Sequence, residues 1–164
     1  MSDIGRLESE REITRLLMRY CHLLDSREVS RIAPEVFTAD GIADYQGRIL
    51  RGRREIGDYL EANVPGYKET AHLLSNVWVL SLDGDRAEVT SNLTAWHWWD
   101  EADKQGPERV TNFVQVVKNT DRLERTREGW RISERRTQGI GSLCALGDDA
   151  RLPAGLLPEP SGAP

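Results

Sequence analysis

The sequence predicts an α+β fold, and three observations carry that prediction. The helical patterns are confined to the first part of the chain. Strand patterns follow one another from Thr70 onward. Asp83-Gly84, a dipeptide that favours a tight hairpin turn, joins the first two of these strands. Helices followed by an antiparallel meander imply a curved sheet wrapped over the helices. A pocket is then expected between the concave sheet face and the first helix.

Residues 7–24 read as the first helix, with Ile13, Leu16, Leu17, Tyr20 and Leu24 on one buried stripe. Ser9 and Glu12 resemble a capping box, and Asp25 ends the helix. Ser26 and Ser30 are N-cap candidates for a short second helix at 27–37, interrupted or started by Pro34. Ala39-Asp40-Gly41 reads as a turn, and Ile42 to Ile49 as one strand with Tyr45 and Asp44 on opposite faces. Gly52 precedes a third helix of about ten residues, with Ile56, Tyr59 and Leu60 inward. Pro65-Gly66 is a breaker.

With Asp83 and Gly84 as a two-residue loop, Leu82 pairs with Asp85. Counting outward places His72 opposite Ala95 and Thr70 opposite His97. The two histidines are then diagonal neighbours on one face, roughly 7–8 Å apart. Leu74, Trp78, Leu80, Val89 and Leu93 share that face. A three-residue loop would put the histidines on opposite faces. Trp96 and Trp98 fall on the other face, where exposed aromatics imply cover by a second copy and hence a homo-oligomer. A polar loop is expected at 100–108 and a strand from Arg109 to Lys118, with Val110, Asn112, Val114 and Val116 on one face and Phe113 and Val117 on the other. A charged turn at 119–128 leads to a last strand, Gly129 to Ile140, with Trp130, Ile132 and Ile140 on one parity. These elements make one domain over residues 1–146, and the Pro- and Gly-rich stretch 147–164 reads as an irregular or disordered arm.

The net charge of −5 argues against a nucleic-acid partner. No run is long and apolar enough for a membrane span, and the polar N-terminus lacks a signal-peptide pattern. Cys21 and Cys144 are too few for a disulfide framework and read as free thiols, so a cytoplasmic location is expected. No glycine-rich phosphate loop is present. His72 and His97 lack a third ligand at metal-binding spacing, so neither a metal nor another cofactor is expected.

The element order, the helix ending RYCHLLDSRE, and the segments VFTADGIADYQG, GRREIGDYL, TAHLLSNVWV, LDGDRAEV and GWRI resemble the NTF2-like superfamily, most closely its SnoaL-like branch. The resemblance covers about residues 7–140. It implies a cone-shaped α+β barrel with three N-terminal helices packed on a curved, mostly antiparallel sheet around a deep pocket. Members include dehydratases, isomerases, cyclases, dioxygenase small subunits and non-catalytic binders. The polar pattern is similar to that of the scytalone dehydratase family at Asp25, Tyr45, His72, His97 and Asn112. It departs from that family at Leu24 and Val110, where a tyrosine and a serine are expected. The bile-acid 7α-dehydratase family is similar at Tyr20, Asp25 and His72, with a late arginine matched by Arg136. Asp25 and His72 are shared by both patterns.

Removing water from a carbon β to a carbonyl needs a base, an acid for the leaving hydroxyl and a donor for the enolate. Histidine suits the first two roles, and a carboxylate on its other nitrogen fixes the tautomer. The implied roles are Asp25 orienting His72, His72 as base, and Tyr45 or Tyr20 as donor to the carbonyl oxygen. His97 and Asn112 position the departing hydroxyl, Arg136 contacts substrate, and Leu74 and Trp78 supply apolar wall. The expected partners are a small cyclic or polyketide-like hydroxy-carbonyl compound and further copies of the chain, as a trimer or a dimer. An isomerase or aldol-type cyclase beginning with the same proton abstraction is the alternative. A non-catalytic binder or dioxygenase small subunit is the third reading.

Overall fold

The computed structural model describes residues 3–100 and 112–144. Its elements are α1 (Asp3–Asp25), a 3-10 turn (Val29–Arg31), α2 (Ile32–Val36), β1 (Phe37–Tyr45), β2 (Arg48–Arg51) and α3 (Gly52–Asn63). A second 3-10 turn (Val64–Gly66) is followed by β3 (Glu69–Asp83), β4 (Arg86–Trp98), β5 (Phe113–Thr126) and β6 (Gly129–Cys144). The strands form one curved sheet in the order β2-β1-β6-β5-β4-β3. Among the described residues only the β1–β6 pair is parallel, and the sheet is open, with β2 and β3 at its edges. The helices cover one face and share its core, which includes Ile13, Leu17, Phe37, Ile56, Val89, Leu123 and Ile132. No described helix is long and apolar enough to cross a membrane. The expected loop at 101–108, the arm from residue 147 and the side chain of Cys144 lie outside the described residues.

The helices follow their hydrophobic spacing, but α1 starts earlier than the capping-box reading implies. Ser9 is buried inside α1 and donates its hydroxyl to the Gly5 carbonyl. A serine satisfies itself this way within a helix, so the Ser9–Glu12 spacing marks no start. Neither the first 3-10 turn nor α2 has a side-chain cap; Ser26 donates instead to the His22 carbonyl. In α3, Ile56 and Leu60 are buried and Tyr59 packs on the core.

The strands differ from the sequence expectation in four places, each for a local reason. Ala39-Asp40-Gly41 is not a turn but part of β1, where pairing with β6 shifts register between Phe37 and Ile42. A Cβ at Gly41 would meet the Thr38 and Ile132 carbonyls at 3.2 and 3.3 Å, so the bulge needs glycine. Residues 42–49 are not one strand. Gln46 and Gly47, with φ of 56° and 96°, form a tight turn, and β2 returns antiparallel to β1. The charged stretch 119–126 belongs to β5, because Asn119, Asp121 and Leu123 point inward and are buried while Arg122 and Glu124 face out.

The fourth difference is the hairpin tip. Asp83 pairs with Arg86, so the loop is Gly84-Asp85, with Gly84 supplying positive φ at the first central position. That slip alone would break the predicted register. Two one-residue bulges on β3, at 76–77 and at Leu80, restore it. His72 consequently lies opposite Ala95, and Thr70 opposite His97, as expected from sequence. Between the bulges the parity changes: Val77 and Val79 pack on the core, while Trp78 and Leu80 are turned out to the surface.

Inside the sheet, Asp121 of β5 and Arg135 of β6 form a two-pronged ion pair, Nε to Oδ1 at 2.7 Å and Nη2 to Oδ2 at 2.8 Å. Their side chains are 1% and 3% exposed, so neither charge has water to fall back on. Asp121→Asn is expected to lower unfolding free energy by about 3–5 kcal/mol in urea titrations, because it strands a buried guanidinium. Asp58→Asn, which breaks an exposed ion pair with Arg54, should cost less than about 1 kcal/mol in the same measurement.

Candidate active site

The site begins where α1 ends. Tyr20 and Leu24 lie on the buried stripe of α1, and Asp25 follows at its last position, beside β3. The Asp25 carboxylate gathers three donors from β3. Oδ1 accepts from the Thr70 hydroxyl at 2.9 Å and faces His72 Nδ1 at 2.6 Å; Oδ2 accepts from the His72 backbone N–H at 2.9 Å. A carboxylate at the negative end of a helix is locally unfavourable, and these donors offset that. In the neutral ring this contact favours the proton on Nδ1, which leaves Nε2 as the nitrogen with a lone pair at the cavity that His72 lines.

His97 meets His72 edge-on, with ring centroids 5.8 Å apart. It is stacked on Phe113 at 4.3 Å and tilted against Tyr67 at 4.5 Å. Its Nδ1 is buried with no hydrogen-bond partner among the described residues. Burial, reinforced by the neighbouring His72, pushes the His97 pKa down to about 4. His97 is therefore a neutral ring across the neutral range.

Two tyrosines occupy another wall. The Tyr20 and Tyr45 hydroxyls are 3.2 Å apart, and Tyr45 stacks on Tyr59. Burial raises the pKa of both Tyr20 and Tyr45 above that of a free phenol, so both remain O–H donors. The Arg135 guanidinium lies 4.4 Å over the Tyr20 ring. Thr137 donates to Asn119 Oδ1 at 2.8 Å, which turns the Asn119 amide N–H₂ away from Thr137.

These groups line an open-mouthed cavity of about 180 Å³ among α1, α3 and strands β1, β3, β4, β5 and β6. Larger depressions of about 840 and 740 Å³ lie on the outer side of α1 and at its N-terminal end. They are lined chiefly by charged side chains and contain none of the groups above. Among the described residues no three His, Cys, Asp or Glu side chains are grouped to hold a metal ion.

Of the residues singled out from sequence, Tyr20, Tyr45, His72 and His97 line this cavity, and Asp25 holds His72 from behind. Four others are placed elsewhere. Trp78 is turned outward by the β3 bulge. Leu74 packs on the core but is not a cavity wall. Asn112 is buried with its side-chain oxygen accepting from the Trp99 backbone N–H. Arg136 faces out, because a register shift between β5 and β6 at Arg122/Leu123 leaves Ser133 unpaired and reverses the parity of β6. Arg135 takes the inward place, and Asn119 is the asparagine at the cavity. Asn119 sits in a stretch polar enough to read as a turn; its spacing of two from Asp121 and Val117 is the strand signal that betrays it.

The family model described as SnoaL-like domain matches residues 5–136. Among curated proteins there is no significant match. Among solved structures, a scytalone dehydratase-like protein from Novosphingobium aromaticivorans is 21% identical, with 87% of this chain and 91% of that one covered and a TM-score of 0.75. The hexachlorocyclohexane dehydrochlorinase LinA-type3 from Novosphingobium barchaimii is 18% identical, with coverages of 89% and 96% and a TM-score of 0.74. An NTF2-like protein with a cystatin-like fold, also from N. aromaticivorans, is 24% identical, with coverages of 84% and 85% and a TM-score of 0.68. These likenesses establish the fold.

The low pKa of His97 couples stability to pH. The unfolded chain takes up this proton near 6.5 and the folded chain only near 4. Between those values the unfolded state binds more protons, so stability is complete above the upper value and falls as the pH drops through the interval. Urea unfolding of the wild type should show this loss from pH 7 to pH 5, and His97→Phe should reduce it.

Proposed function

The chain belongs to the SnoaL-like domain family, and from that premise we propose that it is a lyase removing water from a small cyclic hydroxy-carbonyl compound. The observation that carries this reading is the Asp25–His72 contact at 2.6 Å on a cavity whose other wall is the Tyr20–Tyr45 hydroxyl pair. His72 Nε2 takes the proton α to the carbonyl, and the electron pair moves onto the carbonyl oxygen as an enolate. A tyrosine O–H donates to that oxygen while the charge is there. The enolate collapses, the C–O bond at the β carbon breaks, and the proton on His72 leaves with the hydroxide as water. The products are an enone and water, and His72 is neutral again. Asp25 stabilises the transient imidazolium. Neutral His97 hydrogen-bonds the departing hydroxyl, and the Asn119 amide is a further donor at the cavity.

The cavity bounds the substrate. A protein cavity of about 150 Å³ holds one benzene molecule. At about 180 Å³ this one suits a single substituted ring. The isomerase or cyclase alternative uses the same first step and differs in product, an isomer or ring-closed compound without loss of water.

A panel of monocyclic β-hydroxy ketones, followed by enone absorbance and mass, tests the reading. His72→Ala should lower kcat/KM by about 10²–10⁴-fold, the range for a lost general base. Asp25→Asn should lower kcat by up to about 10⁴-fold, through the wrong tautomer. Turnover intact in both variants would end the proposal, and a product of unchanged mass would replace dehydration by isomerisation.

We also propose that the outer sheet face joins copies of the chain. Leu73, Trp78 and Leu80 are more than half exposed there, on the sheet face that also carries the stacked Trp96 and Trp98. Sedimentation velocity should show an oligomer that Trp78→Lys weakens; a monomer at all concentrations would refute it.

A further inference from the structure

We propose that Thr70 is a positioning residue that sets the basicity of His72. The inference rests on His72 being the base. Thr70 stands two residues before His72 on the same face of β3, is buried, and lies opposite His97. Its hydroxyl donates at 2.9 Å to Asp25 Oδ1, the same oxygen that faces His72 Nδ1 at 2.6 Å. A donor on that oxygen draws off part of its charge. The carboxylate then stabilises the imidazolium less, and His72 holds its proton less tightly. A base must be unprotonated to work, so the Thr70 hydroxyl extends the active range of His72 toward lower pH. The His72 backbone bond to Oδ2 holds the carboxylate independently of Thr70, so the hydroxyl's effect on the pair is chiefly electronic.

Other groups around the pair are Cys21 on α1, His97 on β4 and Tyr67 ahead of β3, with Arg27 bonded to the Tyr67 and Lys68 carbonyls. Tyr20, Tyr45, Tyr59 and Arg135 line the same cavity. All are common to the wild type and a Thr70 variant, so a difference between the two reports the hydroxyl.

The test compares the full-length wild type with Thr70→Val, Thr70→Ala and Thr70→Ser. One readout is substrate-free: NMR titration of the His72 ring protons, assigned with His72→Ala. The other is the acid limb of the kcat/KM–pH profile. Thr70→Val and Thr70→Ala should each move the His72 titration and the acid limb up by about 0.5–1 pH unit. Thr70→Ser should restore both to wild-type values. A His72 titration that stays in place without the hydroxyl, or a serine variant that behaves like valine, overturns the proposal. If the titration moves but no hydroxy-carbonyl compound is turned over, the Thr70 inference stands and the lyase reading falls.

Discussion

The carboxylate of Asp25 is the joint on which the site depends. It closes the long first helix and at the same point receives three donors from β3. Because β3 is an edge strand, one of its sides has no neighbouring strand among the described residues. The helix end supplies a second anchor in place of that neighbour. The same contact that fixes the angle between helix and sheet orients the imidazole. Architecture and chemistry therefore share one set of hydrogen bonds, and neither can be altered alone.

A second constraint comes from deeper in the sheet. The Asp121–Arg135 pair spans β5 and β6 and places a guanidinium over Tyr20. Burial alone would disfavour the cation, but the Asp121 charge overrides this and keeps Arg135 protonated. A neutralised pair leaves little net charge beside the cavity, which suits the reaction proposed above, in which an uncharged substrate becomes anionic only at the enolate stage. The two phenols, one under that guanidinium, are held in place by their mutual contact, so in the proposed reaction they would meet the developing charge without solvent reorganisation. Neutral His97 fits the same economy: its ring is packed between Phe113 and Tyr67, where a cation would be poorly solvated.

Much of this was legible in the residues. The i, i+3, i+4 stripe of α1, the break at Pro65-Gly66 and the α+β order all follow from local spacing. The Asp25, Tyr45, His72 and His97 set came from family resemblance joined to strand parity. Parity is also where legibility stopped. Strand faces are read by counting in twos, and each bulge breaks the count. Trp78 lies beyond the bulge at 76–77 and Arg136 beyond the one at Ser133, and both therefore face away from the cavity. Family resemblance points to Asn112 as the cavity asparagine, whereas Asn119 lies hidden in a polar run that imitates a turn. Inward polar residues paired with Thr137 and Arg135 can sustain a strand there, and such pairs are invisible to a hydrophobicity count.

The β3 bulges have one further consequence, for how the two ends of the hairpin depend on each other. They lie between the Gly84-Asp85 tip and the histidine end of the hairpin. A one-residue insertion or deletion at a hairpin tip ordinarily reverses the faces of one strand relative to the other. Here the two bulges take up the offset between the tip and the histidine end before it reaches Thr70, His72 or His97. The pairing at the tip is thereby decoupled from the pairing at the histidine end, which keeps the register that sets its two rings on one face.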